Sequence, residues 1–327
     1  APVSGSAADT WSAAAGEQGE EQKKKQEEAR KHMKKVQDMC HEVESAIYEL
    51  FEEHPPPISV PITYASFPLG SPTPAIIMED ITNAKTYDIV DGFTRSQVFA
   101  IVDNIVNLHV YSYTTNCDAL KKRLEVFTKD YEMANNFLDM CKKFAAAISL
   151  ARPEMEPLLE PVVRHINDNE NTLVTYHEKY AKHDIRVITH GDMWSPQFLW
   201  RGEKLSAIVD WQLAHGGSPC EDIQRLLSTS VRIEDRIEWE ADVKDYYYEN
   251  LQKRFSAKGV QVPFTRKEFE TEWKECLVFT SVMTIFAYAM WSNSSVLRTG
   301  KPDDEERVSS IRRRLEHVLR ETISTFE

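Results

Sequence analysis

One stretch constrains this 327-residue chain more than any other. It runs Thr189-His190-Gly191-Asp192-Met193-Trp194-Ser195-Pro196-Gln197-Phe198-Leu199-Trp200, and Ile208-Val209-Asp210-Trp211-Gln212 follows shortly after it. Short apolar runs bounded by turn residues predict strands at 186–189, 198–200 and 207–210. One carboxylate, Asp192, and one amide, Gln197, then lie in a loop between strands, and a second carboxylate, Asp210, ends the next strand. A hairpin would carry these separated side chains to one rim. Phosphoryl transfer suits such a set, because it needs an aligned nucleophile and cations that neutralise phosphate charge rather than covalent work by the protein. One carboxylate would orient the acceptor hydroxyl. The other, helped by a side-chain carbonyl, would supply the hard oxygen ligands that Mg²⁺ prefers. Gly191-Asp192 alone is an ordinary turn pair; the spacing to Gln197 and Asp210 is what lifts it above that reading.

The rest of the chain sets this β island among helices. Residues 1–22 hold Trp11 as their one large apolar residue and are expected to be disordered. Met33, Val36, Cys40, Val43, Ile47 and Leu50 recur at helical spacing, which predicts a helix over 20–53 that stops before Pro55-Pro56-Pro57. Segments 59–67 and 75–78 are predicted strands, with Gly70, Pro72 and Pro74 in the turn between them. Helices are expected from Thr94 onward, over 118–150, over 154–182 and in the last part of the chain, marked there by Val308, Ile311, Leu315, Val318 and Leu319. The domain reading is a partial N-terminal lobe and hinge over 23–90 and a C-terminal catalytic lobe over 91–327. The layout is α+β, and a cleft between lobes is where a ligand would sit.

Charge and cysteines narrow the function classes. A formal net charge of −13 argues against broad nucleic-acid binding, which needs a basic face. Five scattered cysteines, Cys40, Cys117, Cys141, Cys220 and Cys276, form no CxxC pair, so a reducing, cytoplasmic setting is expected rather than a disulfide framework. The most apolar stretch, Cys276 to Trp291, carries Thr280, Ser281 and Thr284 and is short for a membrane span; a buried helix is the expectation. His165, His177 and His183 lack the convergent spacing of a metal site. Asp222 and Arg225 fall one turn apart on a predicted helix, which suggests a helix-start interaction or an intrahelical ion pair. For Trp194, Trp200 and Trp211 core packing is the commoner role.

His-Gly-Asp, four intervening residues, an amide and then an aspartate at a strand end resembles the motif of aminoglycoside phosphotransferases and choline kinases. The words His190-Gly191-Asp192-Met193-Trp194-Ser195, Leu199-Trp200, Ile208-Val209-Asp210-Trp211-Gln212 and Gly217 to Asp222 with Arg225 are most similar to the choline/ethanolamine-kinase-like (CHK-like) and ecdysteroid-kinase-like group, especially its nematode members. Ile76-Ile77-Met78-Glu79-Asp80 resembles the group's hinge, Leu108-His109 with Ser112 its Leu-His-x-x-Ser helix end, and Glu44 with Ile47-Tyr48 its Glu-x-x-Phe-Tyr helix. The resemblance covers roughly residues 36–325. It implies a protein-kinase-like, two-lobed fold with a reduced N-terminal lobe and a mostly helical C-terminal lobe. It also implies ATP and Mg²⁺ as cofactors and a small molecule as acceptor. By the same resemblance Asp192 would be the catalytic base and Asp210, with Gln197 where the family commonly has Asn, would hold the metal. Met78, Glu79 and Asp80 would meet the adenine, Glu44 would pair with a strand lysine that holds phosphate, and His190 would orient the loop.

Two departures stand beside the resemblance. No glycine-rich phosphate loop precedes the helix of Glu44, and no lysine precedes Lys23. The chain also begins at Ala1 rather than Met, which suggests processing or a fragment of a longer enzyme. ATP binding is accordingly expected to be weak. Two other readings follow: a catalytically inactive kinase-like binding module, and an interaction protein that uses the 20–53 helix as its contact surface. Acceptor and oligomeric state are not legible in the sequence.

Overall fold

A computed structural model describes residues 20–115, 131–169 and 186–326. The chain is α+β, with three two-stranded antiparallel sheets among long helices. Helix α1 spans Glu20–Glu53, as its apolar stripe and the following prolines predict. Strands β1 (Thr63–Phe67) and β2 (Ala75–Met78) pair antiparallel, with a bulge between Thr63 and Ala65. Helix α2 (Arg95–Thr114) starts at a capping box in which Thr94 and Gln97 satisfy each other's backbone N–H groups. Helix α3 (Tyr131–Ala151) and helix α4 (Glu156–Asp168) are separated by a short 3-10 turn at Pro153–Met155. α4 ends at Asp168, where Asn169 leaves the helical conformation, earlier than the helix expected over 154–182; residues 1–19, 116–130 and 170–185, with Cys117, His177 and His183, lie outside the described residues.

Strand β3 (Val187–Thr189) leads into the loop that carries Asp192. A 3-10 turn at Ser195–Gln197 then delivers the chain to β4 (Phe198–Arg201), which pairs with β5 (Lys204–Ile208). The partner of β3 is a strand that the sequence did not announce, β6 (His215–Gly217), with Thr189 opposite His215 and Val187 opposite Gly217. A His-Gly-Gly run has no β-branched residue to mark it as a strand; close packing selects it instead. A Cβ on Gly217 would stand 2.8 Å from Glu221 Oε2 and 2.9 Å from Thr189 Cγ2. Helices α5 (Glu221–Ser230), α6 (Ile233–Ala257), α7 (Arg266–Trp291) and α8 (Asp304–Ile323) complete the chain.

Two hydrophobic clusters hold these elements. The first joins Ile47, Tyr48 and Phe51 of α1 to Ile101, Ile105 and Tyr111 of α2, to Phe198, Trp200 and Trp211, and to the start of α7 at Phe269 and Trp273. Phe51 meets Trp211 edge to face, with ring centroids 5.0 Å apart, so α1 packs against the segment that bears Asp210; that segment follows β5, which ends at Ile208 rather than at Asp210 as expected. The second cluster lies among α3, α4, the later part of α7, and α8. Burial of Trp200 and Trp211 matches the core reading of both. Arginines of α8 stitch the segment after β2 to this helical part: Arg314 donates to the carbonyls of Ile89 and Val90, and Arg307 pairs with Asp88. Within the described residues no helix is long and apolar enough to cross a membrane. The apolar stretch 276–291 is the inner part of α7 and is largely buried.

Candidate active site

The Asp192 loop is fastened on both sides. Gly191 has φ +81°, and a Cβ there would fall 2.3 Å from the carbonyl oxygen of Leu213, so glycine is required by conformation and by space. The backbone N–H groups of His190 and Gly191 donate to Asp222 Oδ2 and Oδ1 at 2.7 and 2.9 Å. Both oxygens of one buried carboxylate on α5 are thus spent on the turn. Burial pushes the Asp222 carboxyl up to about 6, against the pull of His190 and the two N–H donors. His190 Nδ1 accepts the N–H of Asp192 at 3.2 Å, which leaves Nε2 to donate to the carbonyl of Val209 at 2.9 Å. The imidazole therefore ties the Asp192 loop to the residue before Asp210.

Asp192 itself meets Arg225. Nη2 and Nε of the guanidinium reach Asp192 Oδ1 at 2.8 and 3.2 Å. Arg225 also donates through Nη1 to the carbonyl of Met283 at 3.3 Å and lies over the ring of Trp291, 5.7 Å from its centroid. Trp291 stacks in turn on Trp194 at 4.6 Å. Asp222 and Arg225 thus reach outward from α5 to the 190–192 loop. This corrects the expectation of an intrahelical pair: side chains one turn apart on a helix here serve the neighbouring loop instead of each other.

On the far side of His190 the surroundings change. Asp210 has φ +68°, a left-handed backbone that a non-glycine residue adopts at a cost, and such conformations cluster at functional sites. Its Oδ2 accepts the Gln197 Nε2–H at 2.8 Å across the β4–β5 hairpin. Glu44, on α1, accepts the N–H of Trp211 at 3.2 Å through Oε1 and stands close enough for the two carboxylates to repel. Burial, then the charge of Asp210, hold the Glu44 carboxyl at about 7. Asp210 is likewise raised, chiefly by burial, with the Gln197 hydrogen bond pulling the other way. Cys40 and Tyr48, one turn before and after Glu44, line the same side; burial pushes the Cys40 thiol up to about 12 and the Tyr48 phenol higher than its usual range. Among the described residues no lysine or arginine pairs with Glu44.

The structure therefore brings Gln197 and Asp210 into contact, with Glu44 and Asp192 both near enough for charge to act between each and Asp210. Met78, Glu79 and Asp80 lie at the end of β2. Met78 is opposite Thr63, the Glu79 N–H donates to Ile62 O at 2.7 Å, and Asp80 O accepts from Thr82 N–H at 2.8 Å. None of the three hydrogen-bonds to Asp192, Gln197 or Asp210. Their segment is nevertheless joined to the hairpin of the site, because Lys85 and Trp200 exchange two backbone bonds of 2.9 Å and Ser59 O accepts from Ile208 N–H. Sequence reasoning singled out Asp222 and Arg225 but missed their partners. The word from Gly217 to Arg225, continuous with the loop motif, was the signal that could have assigned them.

The profile of the family described as "DUF1679: Uncharacterized oxidoreductase dhs-27" matches residues 4–327. A Caenorhabditis elegans protein, "Uncharacterized oxidoreductase dhs-27", is 24% identical over 262 residues, which cover 76% of this chain and 30% of that protein. The chain therefore spans under a third of the length of its curated relative. Similar solved structures include the ADP-bound aminoglycoside phosphotransferase APH(2'')-Ib, 15% identical, with 88% of this chain and 84% of that one covered and a TM-score of 0.44. The gentamicin–APH(2'')-IIa complex is 14% identical, with coverage of 85% and 80% and a TM-score of 0.46. The macrolide 2'-phosphotransferase MphH from Brachybacterium faecium, as apoenzyme, is 15% identical, with coverage of 84% and 80% and a TM-score of 0.39.

Proposed function

The chain belongs to the DUF1679 family, and we propose that it is an ATP- and Mg²⁺-dependent phosphotransferase of the CHK-like kind that acts on a hydroxyl of a small molecule. The observation that carries this reading is the convergence of two carboxylates with opposite surroundings. Asp192 is compensated by a guanidinium, while Asp210 lies near Glu44 and is hydrogen-bonded to the Gln197 amide. Paired acidic groups held in different electrostatic settings are a recurrent mark of a reaction centre.

In this reading Asp192 orients the acceptor hydroxyl and receives its proton. The bond between the γ-phosphorus of ATP and its bridging oxygen breaks, a new phosphorus–oxygen bond to the acceptor forms, and ADP leaves. The donor set fits a magnesium ion. Asp210 offers carboxylate oxygen, Gln197 can present its carbonyl by turning its amide, and the repulsion between Asp210 and Glu44 would be relieved by a cation. No group of three or more His, Cys, Asp or Glu side chains suited to a metal occurs among the described residues. Mg²⁺ needs no such cage, since it is commonly held by one or two carboxylates together with substrate phosphates. When bound, the ion would neutralise charge on the phosphate oxygens. Met78, Glu79 and Asp80 are the proposed adenine neighbours; the Glu79 N–H is already committed to Ile62 and the Asp80 carbonyl to Thr82.

The word oxidoreductase in the name of the C. elegans relative describes a protein of which this chain matches 30%. A dinucleotide site of the doubly wound type calls for a parallel sheet and a Gly-x-Gly-x-x-Gly turn. The described strands pair antiparallel in twos, and the sequence contains no such glycine pattern. The second reading kept is an inactive kinase-like binding module, favoured by a Glu44 that has no lysine or arginine partner among the described residues.

A thermal-shift titration with Mg·ATP, run beside a γ-phosphate transfer assay, separates these readings. A shift with turnover that Asp192→Ala abolishes while the melting point holds supports the enzyme. A shift without turnover supports the binding module. No shift at millimolar nucleotide counts against both.

A further inference from the structure

We propose that Arg225 is a positioning residue for phosphoryl transfer: it grips Asp192 by Oδ1 alone and so reserves Oδ2 for the proton of the acceptor hydroxyl. The inference rests on the phosphotransferase reading above.

An arginine that merely neutralises a carboxylate commonly does so fork to fork, with two parallel bonds that occupy both oxygens. Arg225 does otherwise: Nη2 and Nε both end on Oδ1, at 2.8 and 3.2 Å. None of the hydrogen bonds among the described residues ends on Oδ2. The guanidinium cannot slide across to cover it, because its other edge is held by Met283 O at 3.3 Å and its face by the Trp291 ring. That ring is fixed in turn by stacking on Trp194. Arg225 is only 7% exposed, and its own carbonyl accepts the Thr229 hydroxyl at 2.7 Å and the Ser228 hydroxyl at 3.2 Å. The grip is therefore held by α5 and α7 together. The backbone of the same loop is fixed from the same helix by Asp222. The two residues before Asp192 are thus held by Asp222 and its carboxylate by Arg225, both on α5 and one turn apart, and one oxygen is left for chemistry.

A lysine could supply the charge but not two donors in a fixed plane. Charge and placement can therefore be separated by experiment. The full chain would be assayed for phosphate release from Mg·ATP with water as acceptor, and for ADP formation with choline, a hexose and a hydroxysteroid as probes. Arg225→Met should lower kcat about 100-fold, the scale of a misplaced reacting group. The KM for Mg·ATP should stay within about threefold, since nucleotide contacts are untouched. Arg225→Lys should recover roughly a tenth of the wild-type kcat, and added guanidinium should restore part of the rate lost in Arg225→Ala. In an Asp192→Asn background the Arg225→Met change should cost nothing further, because the two residues act as a unit.

An Arg225→Met chain with wild-type kcat overturns the inference, as does one that raises KM alone. Losses that simply add to those of Asp192→Asn do the same. If Arg225→Met fails to fold, Arg225→Lys decides: wild-type kcat there overturns the proposal, and a reduced kcat at unchanged KM supports it. An inert wild-type chain overturns the phosphotransferase reading and this inference with it, whereas an active wild type with an indifferent Arg225 overturns this inference alone.

Discussion

Asp192 and Asp210 stand on either side of one imidazole, yet the chain has completed the surroundings of the first and left those of the second open. On the Asp192 side each carboxylate has donor partners: Arg225 meets Asp192, and two backbone N–H groups meet Asp222, which burial nonetheless pushes up to about 6. On the Asp210 side lie two partly buried carboxylates: burial and then the charge of Asp210 raise Glu44, and burial chiefly raises Asp210 against the Gln197 hydrogen bond. A buried charge without a counter-charge costs free energy unless something cationic arrives. The difference teaches a division of labour. One half of the site is held by the protein's own partners; on the proposed phosphotransferase reading the other would be completed by Mg²⁺.

The strongest way to break the comparison is to remove the fastening of the rigid half. Asp222→Ala leaves the N–H groups of His190 and Gly191 buried without acceptors and should destabilise the fold by about 2–4 kcal/mol in urea unfolding. A loss well below about 1 kcal/mol would mean that the loop is held by something other than α5.

Glu44→Gln probes the open half, and its sign is opposite. The folded-state pKa of Glu44, about 7, stands above its ordinary 4.5. The fold therefore favours the protonated form, and its contribution to stability is fully present below 4.5 and lost as pH rises through about 7. Glutamine carries no such penalty and keeps an acceptor for Trp211 N–H. The variant should be more stable than wild type by roughly 2 kcal/mol at pH 8, with the gain fading as the pH falls toward about 5. Melting curves across that range check it; a gain that does not change with pH would place its origin outside the carboxylate pair.

Asp210→Asn should have the smallest effect on stability. Asparagine tolerates φ +68° and can still bond Gln197, while the repulsion of Glu44 disappears, so a gain of less than about 1 kcal/mol is expected. Its sharper consequence is on Mg²⁺. The wild-type melting point should rise with added MgCl₂ and that of Asp210→Asn should not. Equal shifts in both chains would show that the open half is not where the cation goes.

Local pattern made much of the fold legible. The apolar stripe and the proline triplet bounded α1, turn residues framed β1 and β2, and helical spacing marked α8. Gln197 and Asp210, thirteen positions apart across a hairpin, could be paired from spacing alone. What stayed hidden depends on distant partners. β6 has no strand signature of its own and exists because β3 needs a neighbour and Gly217 lets it approach. Arg225 was visible as a charge on a helix, but its bond to Asp192 spans 33 positions.

The sequence by itself determined which chemical groups this protein has and the short-range spacing that gathers three of them in one loop and hairpin, because hairpin and helix periodicities act over a few residues. Only the tertiary structure decided which carboxylate would be compensated. Glu44 reaches the segment after Asp210 across 167 positions, and Arg225 chooses the loop over its own helix. Those choices are made by the packing of α1 and α5 around a shared core, and no local pattern encodes the balance of burial and charge that results.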